Sequence, residues 1–236
     1  MRRLRLREVG AAAAAVLTLA ACSADAEEPS PTPTPTAGGL TAADLGERVA
    51  AASLAAGSAT AEVSSDGSEG SVRAEVVYRF SADRVDLAAS AEFSGAIAGQ
   101  SDVVLVDDEL YVEVPAAFRL FVSTPWLRLP MDGEFADQSA SLLDSLAARV
   151  PGAELAGSTA PVVEGGPERV GEGLCDRYEV DGPSVTSTYW LSSDDLPCQV
   201  ASARGGDAEQ VVTYRDWGGE VTIAAPPAGE VGDLPG

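Results

Sequence analysis

Between residues 72 and 93 the sequence changes character at every second position. Val72, Ala74, Val76, Tyr78 and Phe80 alternate with Arg73, Glu75 and Arg79. Val85, Leu87, Ala89, Ala91 and Phe93 then alternate with Asp86, Ser90 and Glu92. Successive side chains of a strand point to opposite faces, whereas a helix repeats every 3.6 residues or so. A sustained period of two therefore requires half-buried strands, apolar on one face and solvated on the other, as in an antiparallel sheet. Val103 to Val106 and Leu110 to Val114 flank Asp107-Asp108-Glu109 as a hairpin. Leu174 to Val180, Val185 to Leu191, Gln199 to Ala203, Glu209 to Tyr214 and Val221 to Ala224 read as the later strands.

Two segments follow a helical period instead. Thr41 with Asp44 three residues on makes a capping-box start. The helix runs to about Ala56, with Leu45, Val49, Ala52 and Ala56 on one face, and Gly57 stops it. A second helix is expected over Phe135 to Val150, with Phe135, Leu142, Leu143, Leu146 and Val150 on one face, before Pro151-Gly152. Strands and helices do not alternate, which argues against a doubly wound parallel sheet. The expected class is α+β, one long antiparallel meander with two main helices, and no internal repeat is visible.

The N-terminal segment reads differently. Arg2, Arg3, Arg5 and Arg7 precede an apolar stretch from Gly10 to Ala21. That stretch is shorter than the roughly 20 residues a bilayer requires, but it fits the h-region of a secretory signal. Leu19-Ala20-Ala21-Cys22 resembles the bacterial lipobox, in which the cysteine thiol is lipidated and becomes the first mature residue. A plain signal peptide leaves the cysteine at that position unexplained. The expectation is a lipoprotein signal over 1–21, a lipid anchor at Cys22, and a location on the extracytoplasmic face of the cell membrane. Residues 22–40 contain "EEPSPTPTPTAGG", an extended spacer rising about 3.1 Å per residue. The folded domain is expected over 41–231, followed by a tail at 232–236.

Composition narrows the function. The chain has 37 acidic and 15 basic residues, a net charge of −22, and no histidine. Such a surface repels phosphate backbones, so no nucleic-acid partner is expected. Without histidine, Ser-His-Asp and Cys-His nucleophile systems cannot be built, and zinc loses its commonest ligand. Asp107-Asp108-Glu109 and Asp194-Asp195 are the densest carboxylates, but short Asp-rich stretches usually make turns. No catalytic residue, metal or cofactor is expected. Cys175 and Cys198 lack redox C-x-x-C spacing and suit a structural disulfide in an exported domain.

Local phrases carry a resemblance. "DDELYVEV" (107–114), "STYWLSSDDLPCQVASA" (187–203) and "VTYRDWGGEVTIAAPPAGEV" (212–231) occur in an order that resembles the LppX/LprG-type lipoproteins of mycobacteria and other actinobacteria. The resemblance spans about residues 41–231. It implies a half-barrel similar to LolA, with a curved antiparallel sheet and helices packed on its concave face. It further implies binding and transport of a lipid or glycolipid between sheet and helices. Val76, Tyr78, Phe80, Leu87, Ala89, Ala91, Leu142 and Leu146 are then the candidate cavity residues. Small inward residues such as Ala74, Ala89 and Ala91 leave room for acyl chains, unless the helices pack down to fill it. The alternative function is an envelope interaction or sensing module with a protein partner and no lipid ligand.

Overall fold

Thr41 starts the folded chain by capping the first helix, α1 (Ala42–Ala56). Its hydroxyl donates to the Asp44 carboxylate (2.6 Å) and accepts from the Asp44 amide (3.2 Å), while the Thr41 amide donates to the same carboxylate (3.1 Å). These bonds, the side-chain one first, hold the Asp44 carboxyl below the ordinary carboxylate range. Gly57, in the left-handed region at φ +77°, ends the helix by donating to the Ser53 carbonyl. The computed structural model describes residues 39–67, 70–95, 98–115, 118–120, 122–182, 185–204 and 208–233. Cys22 and the rest of the expected signal and most of the tether lie outside the described residues. The buried stripe of α1 is Ala42, Leu45, Gly46, Val49 and Ser53. Ala52 and Ala56, expected on that stripe, are only half-buried because the contact follows the i+4 row from Leu45 to Ser53.

Twelve strands follow in chain order: β1 (Ser58–Gly67), β2 (Gly70–Phe80), β3 (Val85–Phe93), β4 (Gly99–Val106), β5 (Glu109–Glu113), β6 (Trp126–Leu129), β7 (Val162–Val170), β8 (Gly173–Asp181), β9 (Val185–Leu191), β10 (Pro197–Arg204), β11 (Ala208–Arg215) and β12 (Val231–Asp233). They form one curved, unclosed sheet in the order β12-β6-β5-β4-β3-β2-β1-β11-β10-β9-β8-β7. Every pairing is antiparallel except β12 with β6, which is parallel. Asp107 and Asp108 both take positive φ (53° and 63°), so β4 and β5 close through the two-residue turn whose twist suits a hairpin.

Four strands, β1, β6, β7 and β12, are not apparent as alternating runs. Central β1 buries Ala59, Ala61 and Val63, side chains too small to announce an apolar face. Edge strand β7 contains Gly165-Gly166-Pro167 and charged residues, and its pairing with β8 slips between Glu164 and Pro167. Such irregularity blunts an open edge. Short β6 lies between β5 and β12. The expected strand at Val221 to Ala224 is corrected to an irregular strap. Ile223 of that strap packs with Val104, Val106 and Tyr111 on one face of the sheet, which β12 then joins at the edge. The expected domain end at residue 231 therefore falls inside β12.

The other face carries the helices. Tyr189, Val200, Val212, Val63, Ala74 and Ala91 are paired in register across six strands and so share that face. The second helix, α2 (Ala136–Ser145), is shorter than expected: the chain leaves it at Leu146, and Ala147 adopts φ +50°. Leu142, Leu143, Leu146 and Ala147 pack on the β1–β5 part of this face, whereas Phe135 is exposed. Residues Ala42, Leu45 and Val49 of α1 pack with Leu155 on Val180, Tyr189 and Leu191 of β8 and β9.

Cys175 and Cys198 form a disulfide with Cα atoms 6.6 Å apart. Cys175 lies on β8 and Cys198 on β10, so the bridge does not join hydrogen-bonded neighbours. Strand β9 ends between them at Leu191, which pairs with both Asp176 and Pro197, and the β10 register shifts at Cys198. The bridge closes the sheet just past the end of β9.

Candidate functional site

Between the β8–β11 part of the helix-bearing face and residues 141–158 lies a groove of about 700 Å³. Period-two alternation builds its floor: Val180, Ser187, Val200, Ser202, Val212 and Tyr214 all face it. Its roof is the end of α2 and the turns after it, including Asp144, Ala147, Arg149, Glu154 and Leu155. The lining is mixed on both sides: Val180, Val200, Val212 and Tyr214 stand with Ser187 and Ser202 on the floor, and Asp144, Arg149 and Glu154 with Ala147, Pro151 and Leu155 on the roof.

Hydrogen bonds fix roof to floor. Gln210 of β11 donates to the carbonyls of Asp144 (2.7 Å) and Ser145 (3.2 Å), satisfying acceptors that a helix end leaves open. Arg149 donates to Asp144 (3.1 Å) and to the Gln210 side-chain oxygen (3.3 Å), and lies 3.9 Å from the Glu154 carboxylate. The hydroxyl of Tyr189 donates to Glu154 from the floor. At the inner end, the Tyr78 hydroxyl donates to the Leu146 carbonyl at 2.6 Å. Burial, as the largest cause, raises the phenols of Tyr78, Tyr189 and Tyr214 well above the ordinary tyrosine range. All three are therefore neutral donors at physiological pH.

The eight residues expected to line a cavity lie elsewhere. Val76, Tyr78, Phe80, Leu87, Ala89, Ala91 and Leu146 are buried in the core beneath α2, and half-buried Leu142 packs against them. None of the eight lines the groove. Leucines from α2 occupy the room left by the alanines, and Tyr78 stacks on Phe80 with ring centres 5.5 Å apart. The groove residues belong to strands whose alternation was readable, but the roof that converts their face into a cavity is irregular chain. Proximity of residues 146–158 to β8–β11 has no signature in spacing.

The carboxylate groups noted in the sequence are structural. Asp107 and Asp108 form the hairpin turn, and Glu109 accepts hydrogen bonds from Tyr111 and Arg128. Asp195 sits in a turn at φ +60° and pairs with Arg48 of α1. Among the described residues, no group of three His, Cys, Asp or Glu side chains is placed to hold a metal ion. No helix among them is long and apolar enough to cross a membrane.

The architecture has a counterpart among solved structures. The lipoprotein LppX of Mycobacterium tuberculosis superposes with a TM-score of 0.53 at 15% identity, over 76% of this chain and 98% of LppX. The fold is LppX-like. MucB is also similar, with a TM-score of 0.46 at 18% identity over 79% of this chain and 60% of its own. MucB in complex with MucA(peri) gives 0.41 at 15% identity, over 80% and 58% of the two chains. This chain thus spans about three fifths of the MucB chains. No protein-family model matches the sequence, and no curated protein does.

Proposed function

We propose that this protein is a membrane-anchored extracytoplasmic lipoprotein that binds and carries a lipid in the groove between β8–β11 and residues 141–158. The observation that carries the reading is the groove itself. Its volume of about 700 Å³ falls within the range of small-molecule sites. Val180, Val200, Val212 and Leu155 would bury acyl chains, each methylene contributing about 0.8 kcal/mol, while the charged and hydroxyl groups of the lining meet the other end of an amphiphile. The LppX-like fold and the disulfide suit an exported protein in an oxidising compartment. Export through residues 1–21, anchoring at Cys22, and the helices lying on the concave side of the sheet belong to the same proposal. The role is carriage without catalysis.

Native mass spectrometry of the protein purified from its own envelope should show adducts of lipid mass. Ser202→Trp places an indole on the groove floor and should remove the adducts while circular dichroism stays unchanged. Wild-type protein that is empty, and takes up no lipid from envelope extract, would leave the interaction module as the better reading.

A further inference from the structure

Three tyrosines point from the sheet toward the helix side, and two have their hydroxyls satisfied: Tyr78 by the Leu146 carbonyl and Tyr189 by Glu154. Tyr214 differs. Only 9% of it is exposed, and its ring is wedged between Tyr78 and Trp217, at 6.2 and 5.1 Å between ring centres. It lines the groove, and no protein group among the described residues hydrogen-bonds its hydroxyl, which keeps access to the groove. A ligand oxygen in the groove would accept from this hydroxyl in place of water.

Charge defines which oxygen. Asp144, Arg149 and Glu154 are the groove-lining side chains that carry charge at neutral pH, one cation against two carboxylates. The guanidinium is already engaged by Asp144, Glu154 and Gln210. Among the described lining side chains an incoming anion meets no free cation and a surplus of negative charge, within a chain whose net charge is −22. A cationic head would have to approach Arg149 while competing with it for both carboxylates. An uncharged ester or alcohol pays neither cost and can accept from the phenol.

Resting on the proposal that the groove is the lipid site, we infer that it selects amphiphiles with an uncharged polar end, held by a hydrogen bond from Tyr214, and rejects phosphate-bearing lipids. Selectivity here combines one attractive contact with repulsion of the competitor.

The delipidated full chain should be titrated with monooleoylglycerol, its 3-phosphate and oleyltrimethylammonium, which share an 18-carbon chain length and differ in the head. Fluorescence of Trp217, stacked on Tyr214, reports occupancy. Monooleoylglycerol should bind about tenfold or more tighter than either charged ligand. Tyr214→Phe keeps the ring and should weaken monooleoylglycerol about threefold to tenfold, the value of one hydrogen bond. Glu154→Gln should tighten the phosphate ligand and leave the Tyr189 hydroxyl an acceptor. Equal or tighter binding of the phosphate or the cation overturns the inference, as does an unchanged Tyr214→Phe profile. If the folded protein binds none of the three, the groove proposal falls with it. If all three bind equally, the groove stands and head selection is wrong.

Discussion

Gly46 of α1 and Gly152 of the groove roof meet backbone to backbone. A Cβ on Gly46 would stand 2.5 Å from the Gly152 carbonyl oxygen, and one on Gly152 would stand 2.6 Å from the Gly46 carbonyl. Gly152 also adopts φ +85°, which other residues rarely take. The contact seats the roof against α1, so Gly46→Ala must force the two apart. Overpacking of this kind costs about 1–3 kcal/mol, visible as a lower urea midpoint. An unchanged midpoint would mean that the roof yields freely.

Tyr78→Phe removes the bond at 2.6 Å to the Leu146 carbonyl without altering the stack on Phe80. The carbonyl is left buried without that partner, and the loss should be about 1–3 kcal/mol in equilibrium unfolding. A neutral substitution would show that water reaches the end of α2.

The Cys175–Cys198 bridge closes a loop of 23 residues between β8 and β10. Cys175→Ser with Cys198→Ser should cost about 3 kcal/mol by the chain-entropy argument. Peptide mapping without reductant should recover the two cysteine peptides linked in the wild type. Free thiols at both positions would reject the bridge.

How much of this molecule could be read in advance follows from what produces periodicity. Strands whose apolar face includes large side chains set between charged ones, such as Tyr78 and Phe80 of β2 or Leu87 and Phe93 of β3, declare themselves, and Thr41, Asp44 and Gly57 mark both ends of α1. Central β1 stayed hidden because Ala59 and Ala61 bury little surface, and β7 because Gly165-Gly166-Pro167 has the composition of a loop. The cavity was expected over Ala89 and Ala91, since small residues suggest space. Whether space survives depends on what packs over it, and Leu142 and Leu146 fill it there. The groove exists where irregular residues 146–158 bridge over β8–β11, a long-range arrangement that local sequence does not encode.

The capping box predicts an acid dependence. Bonds from Thr41 hold the Asp44 carboxyl in the folded protein below the ordinary aspartate range. A depressed acid contributes stability that is present above the unfolded value and lost as pH falls through the folded one. The stability gap between wild type and Asp44→Ala should therefore be constant near neutrality and narrow below about pH 4. A gap independent of pH would assign the effect to helix propensity instead. Thr41→Ala, which removes the cap itself, should cost about 1 kcal/mol.

Leu19-Ala20-Ala21-Cys22 follows a short apolar stretch and precedes the Pro/Thr spacer. Two or more acyl chains hold a protein on a bilayer where one gives only reversible binding. With so acidic a chain, charge will not assist docking on anionic headgroups. Cys22→Ala should therefore abolish incorporation of radiolabelled palmitate and move the protein from the membrane to the soluble fraction. Because Cys22 lies outside the disulfide, the variant should keep the wild-type unfolding midpoint, which separates loss of the anchor from loss of the fold. Equal labelling of the variant would place the lipid elsewhere or remove it from the account.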